Sequence, residues 1–139
     1  MVSEIEKEHA SPVDQFDALL KNFEGTLACK KICIFGAMSG ELRGLPETLQ
    51  AELKSFIGGS IAGIKTILAR AQASGDISKD YDCDVLAELW NNTLQGTMAI
   101  GRATGCCGLS EPIAMLRSMT FARLRNFLSP TLAGSDSQA

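Results

Sequence analysis

The stretch AQASGDISKDYD, residues 71–82, marks the end of one long helix and the beginning of another, and it decides the fold class. Gly75 suits the left-handed conformation that often follows the last turn of a helix. Asp82 is a good N-cap, because its carboxylate can accept hydrogen bonds from the free N–H groups of a first turn. On both sides of this stretch, apolar residues recur every three or four positions, which is the spacing of one buried helical face. We therefore predict long helices over residues 46–74 and 82–104.

Other segments of the chain also have helical patterns. One predicted helix covers residues 11–26, with Pro12 in its first turn. A mostly apolar candidate covers residues 29–42, and a last one runs from Ser110 to about Leu128, where apolar residues cover more than one face. No segment has the alternating pattern of a strand. The predicted organisation is all-α, a bundle of five to six helices, with an N-terminal flank at 1–10, one domain at 11–128 and a disordered tail at 129–139.

Composition excludes several classes of protein. The 139 residues suit one domain, and 45% hydrophobic against 21% charged residues is typical of a globular chain. The net charge of -3 and the scattered basic residues argue against DNA binding by this chain alone. The charged N-terminus has no signal-peptide pattern, and no apolar run is long enough to span a membrane. We expect a cytoplasmic protein without a membrane partner, whose mean hydropathy of +0.09 predicts extra apolar surface covered by a ligand or a second copy.

Catalytic constellations are not found in the sequence. The single histidine, His9, lies in the N-terminal flank, so no imidazole base is available for a cysteine or serine nucleophile. The glycine-rich run at residues 58–63 is not a phosphate loop, because it falls inside a predicted helix; it predicts close packing or space for a ligand. We therefore predict that the chain is not an enzyme and needs no cofactor.

The cysteines leave two alternatives open. Cys29 and Cys33 are one helical turn apart, and Cys106 and Cys107 are adjacent, but neither pair has the CxxC spacing of a zinc site, and we predict no metal site. Buried small residues are one interpretation. A thiol-based electrophile or redox sensor that uses Cys33, beside two lysines, is the first alternative. A small all-α metal-binding protein or enzyme that uses the cysteines is the second.

Polar side chains occur on the apolar side of the predicted helix at 82–104. A pocket with an apolar lining and a few polar groups is typical of small-molecule sites. The same side chains would equally suit hydrogen bonding at a helix–helix contact. The residues concerned are Trp90, Asn91, Thr93, Gln95 and Thr97.

A series of short motifs resembles the C-terminal ligand-binding domain of the TetR (tetracycline-repressor-like) family. The resemblance covers residues 11–128 and rests on the order and spacing of the motifs. They are CIFGAMSGEL at 33–42, the Leu-Pro-Glu break at 45–47, the A-x-x-x-G-x-I-x-x-D-x-D pattern at 71–82, Leu94-Gln95-Gly96, and Arg102-Ala103-Thr104.

The resemblance implies a homodimer in which the last two helices form a four-helix bundle with their copies. The apolar surface of the last predicted helix fits that arrangement independently. The implied interface residues are Leu89, Gly96, Ile100, Leu116, Met119, Phe121, Leu124 and Phe127.

The resemblance also implies a pocket for a small apolar or amphipathic ligand among the first four helices. The family's N-terminal helix-turn-helix domain has no counterpart before Ser11, so we expect DNA binding only through that missing domain. In an intact regulator, the ligand would favour one spacing of two DNA-reading domains. The implied ligand-binding residues are Phe16, Leu20, Phe23, Met38, Phe56, Trp90, Asn91 and Leu94.

Overall fold

Helices make up the regular secondary structure of the residues that the computed structural model describes, which are 2–28, 37–38, 40–105 and 111–121. This confirms the all-α prediction. A 3-10 turn at Leu42–Gly44 precedes the longest helix. The α-helices are α1 (Val2–Glu8), α2 (Pro12–Ala28), α3 (Glu47–Ala73), α4 (Cys83–Thr104) and α5 (Glu111–Thr120).

The helix ends at the 71–82 junction follow the local signals in the sequence. Gly75 has a φ of 83°, and the N–H of Asp76 returns to the Ala71 carbonyl at 2.8 Å, which completes the end of α3. The Asp82 carboxylate accepts from the N–H groups of Asp84 and Val85, at 2.8 and 3.3 Å, and so caps α4. Both predictions are confirmed.

The junction itself is fixed by one side chain of α3. The Gln72 amide nitrogen donates to the carbonyls of Ser78 and Tyr81, at 2.8 and 2.9 Å. Two contacts between α3 and α4 show their relative direction. Lys65 forms an ion pair with Asp84 at 2.5 Å, near the start of α4. Ser60, which comes earlier in α3, hydrogen-bonds Asn91, which comes later in α4. The two helices therefore pack antiparallel, and α2 lies against α3 and α4.

Aromatic side chains from α2, from α4 and from the residue that follows α5 meet in the core. The Phe16 ring of α2 lies edge-on to Trp90 of α4, with 4.7 Å between centroids, and Phe121 after α5 lies 5.1 Å from Phe16. At the surface, Arg117 of α5 donates from Nε and Nη2 to the two oxygens of Asp17, both at 2.5 Å. This bidentate pair fixes α5 on α2 and raises the pKa of Arg117.

The N-terminal flank is joined to the domain through α1. Ile5 is buried in the core, and Arg70 of α3 donates to Glu6 at 2.8 Å and to Gln15 of α2 at 2.5 Å. Gln15 in turn donates to the His9 carbonyl at 2.6 Å. Residues 2–8 are therefore a helix of the same body.

Three predicted segments lie largely or wholly outside the described residues. They are the helix over residues 29–42, the end of the last helix near Leu128, and the tail at 129–139.

Candidate ligand cavity

A cavity of about 210 Å³ lies where α2, α3 and α4 meet. Each helix contributes side chains from one turn: residues 22, 23 and 26 on α2, 56 and 60 on α3, and 95 and 98 on α4. Positions three or four apart share a helix face, so this spacing aims all of them into one space. The described lining is Asn22, Phe23, Thr26, Phe56, Ser60, Gln95 and Met98.

Both hydroxyl groups in the described cavity lining are already hydrogen-bonded. The Thr26 hydroxyl donates to the Asn22 carbonyl at 2.9 Å. The Ser60 hydroxyl donates to Oδ1 of Asn91 at 3.3 Å, and Asn91 is itself buried. The half-buried Gln95 amide makes no hydrogen bond within the described part of the chain. The Asn22 side-chain amide also has no partner among the described residues, but it is exposed, so the half-buried Gln95 amide is the one placed to bond a guest molecule inside the cavity.

The structure divides the predicted ligand-binding residues into three groups. Phe23 and Phe56 line the cavity, and Asn91 lies behind Ser60. Met38 is half-buried and does not belong to the described lining. The remaining members are buried side chains of the core and also lie outside the described lining: Phe16, Leu20, Trp90 and Leu94.

The sequence interpretation missed several lining residues. Gln95 had a signal, since it is one of the polar side chains on the apolar side of α4, and Ser60 belongs to the glycine-rich run that predicted room for a ligand. Gly58 and Gly59 themselves are exposed, and an added Cβ would meet nothing within 4 Å. Close packing against the described residues therefore does not explain these two glycines. No feature of the sequence identified the other lining residues, which are Asn22, Thr26 and Met98.

Some of the predicted dimer-interface residues are exposed, whereas others pack inside their own chain. Leu89, Ile100 and Met119 are 47%, 65% and 57% exposed, and Gly96 is exposed with open space around it. Leu116 and Phe121 are half-buried and pack against the core of their own chain. Leu124 and Phe127 lie outside the described residues.

Cys83 is the cysteine that the described residues contain. Its thiol donates to Oε1 of Gln72 at 3.5 Å. Burial raises the pKa of the Cys83 thiol, and the carboxylates of Asp82 and Asp84 raise it further. Cys83 is thus unsuited to be a reactive thiolate. The predicted reactive thiol, Cys33, lies outside the described residues, as do Cys29, Cys106 and Cys107.

Within 2–28, 37–38, 40–105 and 111–121, no three histidine, cysteine or carboxylate side chains come together as metal ligands. None of the helices described has the length and apolar character needed to cross a bilayer.

Comparison with known families agrees with the helical cavity and with the motifs. No curated protein and no solved structure is significantly similar to the chain. A family model described as "Tetracyclin repressor-like, C-terminal domain" matches residues 12–111, more than half of the 139 residues. That span contains α2, α3 and α4 complete, and with them every described residue of the cavity lining. The chain belongs to the family of tetracyclin repressor-like C-terminal domains.

Proposed function

We propose that this chain is the effector-sensing and dimerisation domain of a TetR-like transcriptional regulator, working in the cytoplasm. The observation that carries the proposal is the apolar cavity between α2, α3 and α4, with a free amide in its wall. Family membership supports a regulatory rather than catalytic role in general terms. A cavity with an apolar lining and few polar groups is the usual form of a small-molecule site.

Dimerisation through α4 and α5 is supported by the apolar side chains that these helices expose. Among the described residues, all the large exposed hydrophobic side chains except Phe56 and Tyr81 lie on α4 or α5. Those on α4 are four and eleven positions apart, which places them on one face of the helix, and exposed apolar surface of this kind marks an interaction site. A twofold dimer covers the same face on both copies. The residues are Val85, Leu89, Ile100, Met115 and Met119.

Helix α4 couples the ligand to the dimer in this proposal. Gln95 and Met98 face the cavity, whereas Gly96 and Ile100 are exposed on the other side of the same helix. A ligand that favours one position of α4 therefore favours one geometry of the two subunits. By linkage, the ligand changes the dimer equilibrium by the same factor by which dimerisation changes ligand affinity. In a regulator with DNA-reading domains, this shift would change their spacing.

The test uses the full chain with four probes of one ring system: naphthalene, 2-naphthol, 2-naphthoate and 2-naphthylmethylammonium. We expect at least one probe to raise the thermal midpoint, by several degrees at about 100 times its Kd. Ser60→Phe fills the cavity from α3 and should abolish that shift. Ser55→Phe makes the same change at an exposed position of α3 and should preserve it. Fluorescence of Trp90 and the urea midpoint establish that both variants fold.

Two results would overturn the proposal. One is that none of the four probes binds the native chain. The other is that the folded Ser60→Phe variant binds the best probe as tightly as the native chain does. The thiol-sensor alternative is tested separately, by the rate at which Cys33 is alkylated in the native chain.

A further inference from the structure

The described walls of the cavity contain no charged side chain for a ligand to pair with. They contain three apolar side chains, of Phe23, Phe56 and Met98, and four neutral polar ones. A charged group that leaves water for such a site loses its hydration without gaining an opposite charge, which is strongly unfavourable. A neutral ligand avoids this loss.

The size and lining of the cavity favour a small flat molecule. An apolar protein cavity of about 150 Å³ is known to accept benzene. At about 210 Å³, the present cavity has room for one further fused ring. The rings of Phe23 on α2 and Phe56 on α3 belong to the lining, and the Met98 thioether on α4 is a favourable neighbour for an aromatic ring.

Among the described walls, the half-buried side chain with unused hydrogen-bonding capacity is Gln95. The hydroxyl hydrogens of Thr26 and Ser60 are engaged with the main-chain carbonyl of Asn22 and with Oδ1 of Asn91. The Asn22 side-chain amide is exposed, so water can pair it without a ligand. The Gln95 side chain offers both a carbonyl acceptor and an NH₂ donor, and neither bonds a described residue. A ligand that buries this amide without a hydrogen bond is disfavoured, because the amide loses its bonds to water.

We infer that the cavity selects an uncharged aromatic molecule of one or two fused rings, with one hydroxyl, carbonyl or ring N–H group that hydrogen-bonds Gln95. The inference rests on the proposed function and specifies its ligand class. Gln95 is then the residue that distinguishes such a molecule from a plain hydrocarbon of the same shape.

The experiment compares the affinities of matched probes by calorimetry on the full chain. 2-Naphthol, which is uncharged at pH 7, should bind about 3- to 10-fold more tightly than naphthalene, the range expected for one net hydrogen bond. 2-Naphthoate and 2-naphthylmethylammonium should bind at least about tenfold more weakly than 2-naphthol.

Two variants assign the preference to one side chain. Gln95→Met keeps the approximate volume and removes the amide, so it should bring the 2-naphthol to naphthalene ratio to about one while naphthalene affinity is kept. Thr66→Val removes a hydroxyl at an exposed position of α3, outside the described lining, so it should leave the ratio unchanged.

The failure of this inference is distinguishable from failure of the proposed function. If a charged probe binds best and Ser60→Phe blocks it, the sensing function stands and the uncharged ligand class is wrong. If the ratio survives Gln95→Met or is lost in Thr66→Val, the role of Gln95 is wrong. If no probe binds, both proposals fall together.

Discussion

The indole N–H of Trp90 donates a hydrogen bond to the hydroxyl of Thr120, at 3.1 Å, and both residues are buried. The same hydroxyl donates to the Leu116 carbonyl at 2.8 Å, so its orientation is fixed. A buried polar group must be paired, because an unpaired one loses its bonds to water without compensation. This contact therefore positions α5 on α4 by a specific bond in addition to apolar packing.

Replacing Thr120 with valine tests the contribution of that bond. Valine has nearly the same shape but no acceptor, so the Trp90 N–H is left buried and unpaired, and we expect a loss of about 1–3 kcal/mol in the free energy of unfolding. Urea denaturation followed by the fluorescence of Trp90, the one tryptophan in the chain, measures it. Thr120→Ser retains the acceptor and should cost less than valine. Equal stability of Thr120→Val and the native chain would show that the bond is unimportant.

Alanine at Gly58 or Gly59 should stabilise the chain. Both glycines lie inside α3, are exposed, and have open space where a Cβ would be. Because alanine loses less backbone freedom on folding, each substitution should add about 0.5–1 kcal/mol. Gly75→Ala is the control, and it should destabilise, since the φ of 83° disfavours any side chain. A loss of stability in the Gly58 or Gly59 variant would instead indicate that another backbone packs against this part of α3. Stability is measured as the urea midpoint of each variant at one protein concentration.

The protonation of Cys83 should link stability and reactivity to pH. Its pKa is raised in the folded chain, so the neutral thiol is favoured by folding. Below the ordinary thiol pKa, folded and unfolded chains both hold the proton and the stabilisation is complete. As the pH rises above that value, the unfolded chain releases its proton first, and stability falls until the folded thiol ionises too.

Peptide-level mass spectrometry of iodoacetamide labelling measures this prediction. Cys83 should react several-fold more slowly in the native chain than in urea at pH 8, because only the thiolate is nucleophilic. Equal rates would contradict the raised pKa. The peptide that contains Cys33 reports on the thiol-sensor alternative in the same experiment, where a native rate no faster than the rate in urea would exclude it.

Helix ends could be predicted because their causes are local. Asp82 caps α4 through N–H groups two and three residues away. At Gly75, α3 ends through the bond from the Asp76 N–H to the Ala71 carbonyl, which spans five residues. Such signals are complete within a short stretch of sequence. For this reason the predicted bounds of α2, α3 and α4 agree with the structure to within two residues.

The cavity could be predicted only in part, because a gap in packing is a property of several distant segments. Phe16 and Phe23 are equivalent in sequence, as apolar residues on one face of α2. Phe16 meets Trp90, a partner 74 positions away, whereas Phe23 faces the space between helices. Protein interiors are closely packed, so a single side chain from a distant segment determines whether a position belongs to the core or lines a cavity. Periodicity identifies the buried face of a helix but not the place where packing stops.

A charged residue in the exposed stripe of α4 should separate the proposed dimer. Ile100 is 65% exposed in the monomer, so Ile100→Arg should change the free energy of unfolding by no more than about 0.5 kcal/mol. In a dimer interface the same arginine would bury a charge, which should weaken association at least about tenfold. Ala69→Arg adds the same charge at an exposed position of α3 and should leave association unchanged. Sedimentation equilibrium from about 1 to 50 μM distinguishes the 14.8 kDa monomer from a dimer of twice that mass. A native chain that stays monomeric throughout this range, or equal dissociation by both variants, would show that the α4 stripe is not the dimer interface.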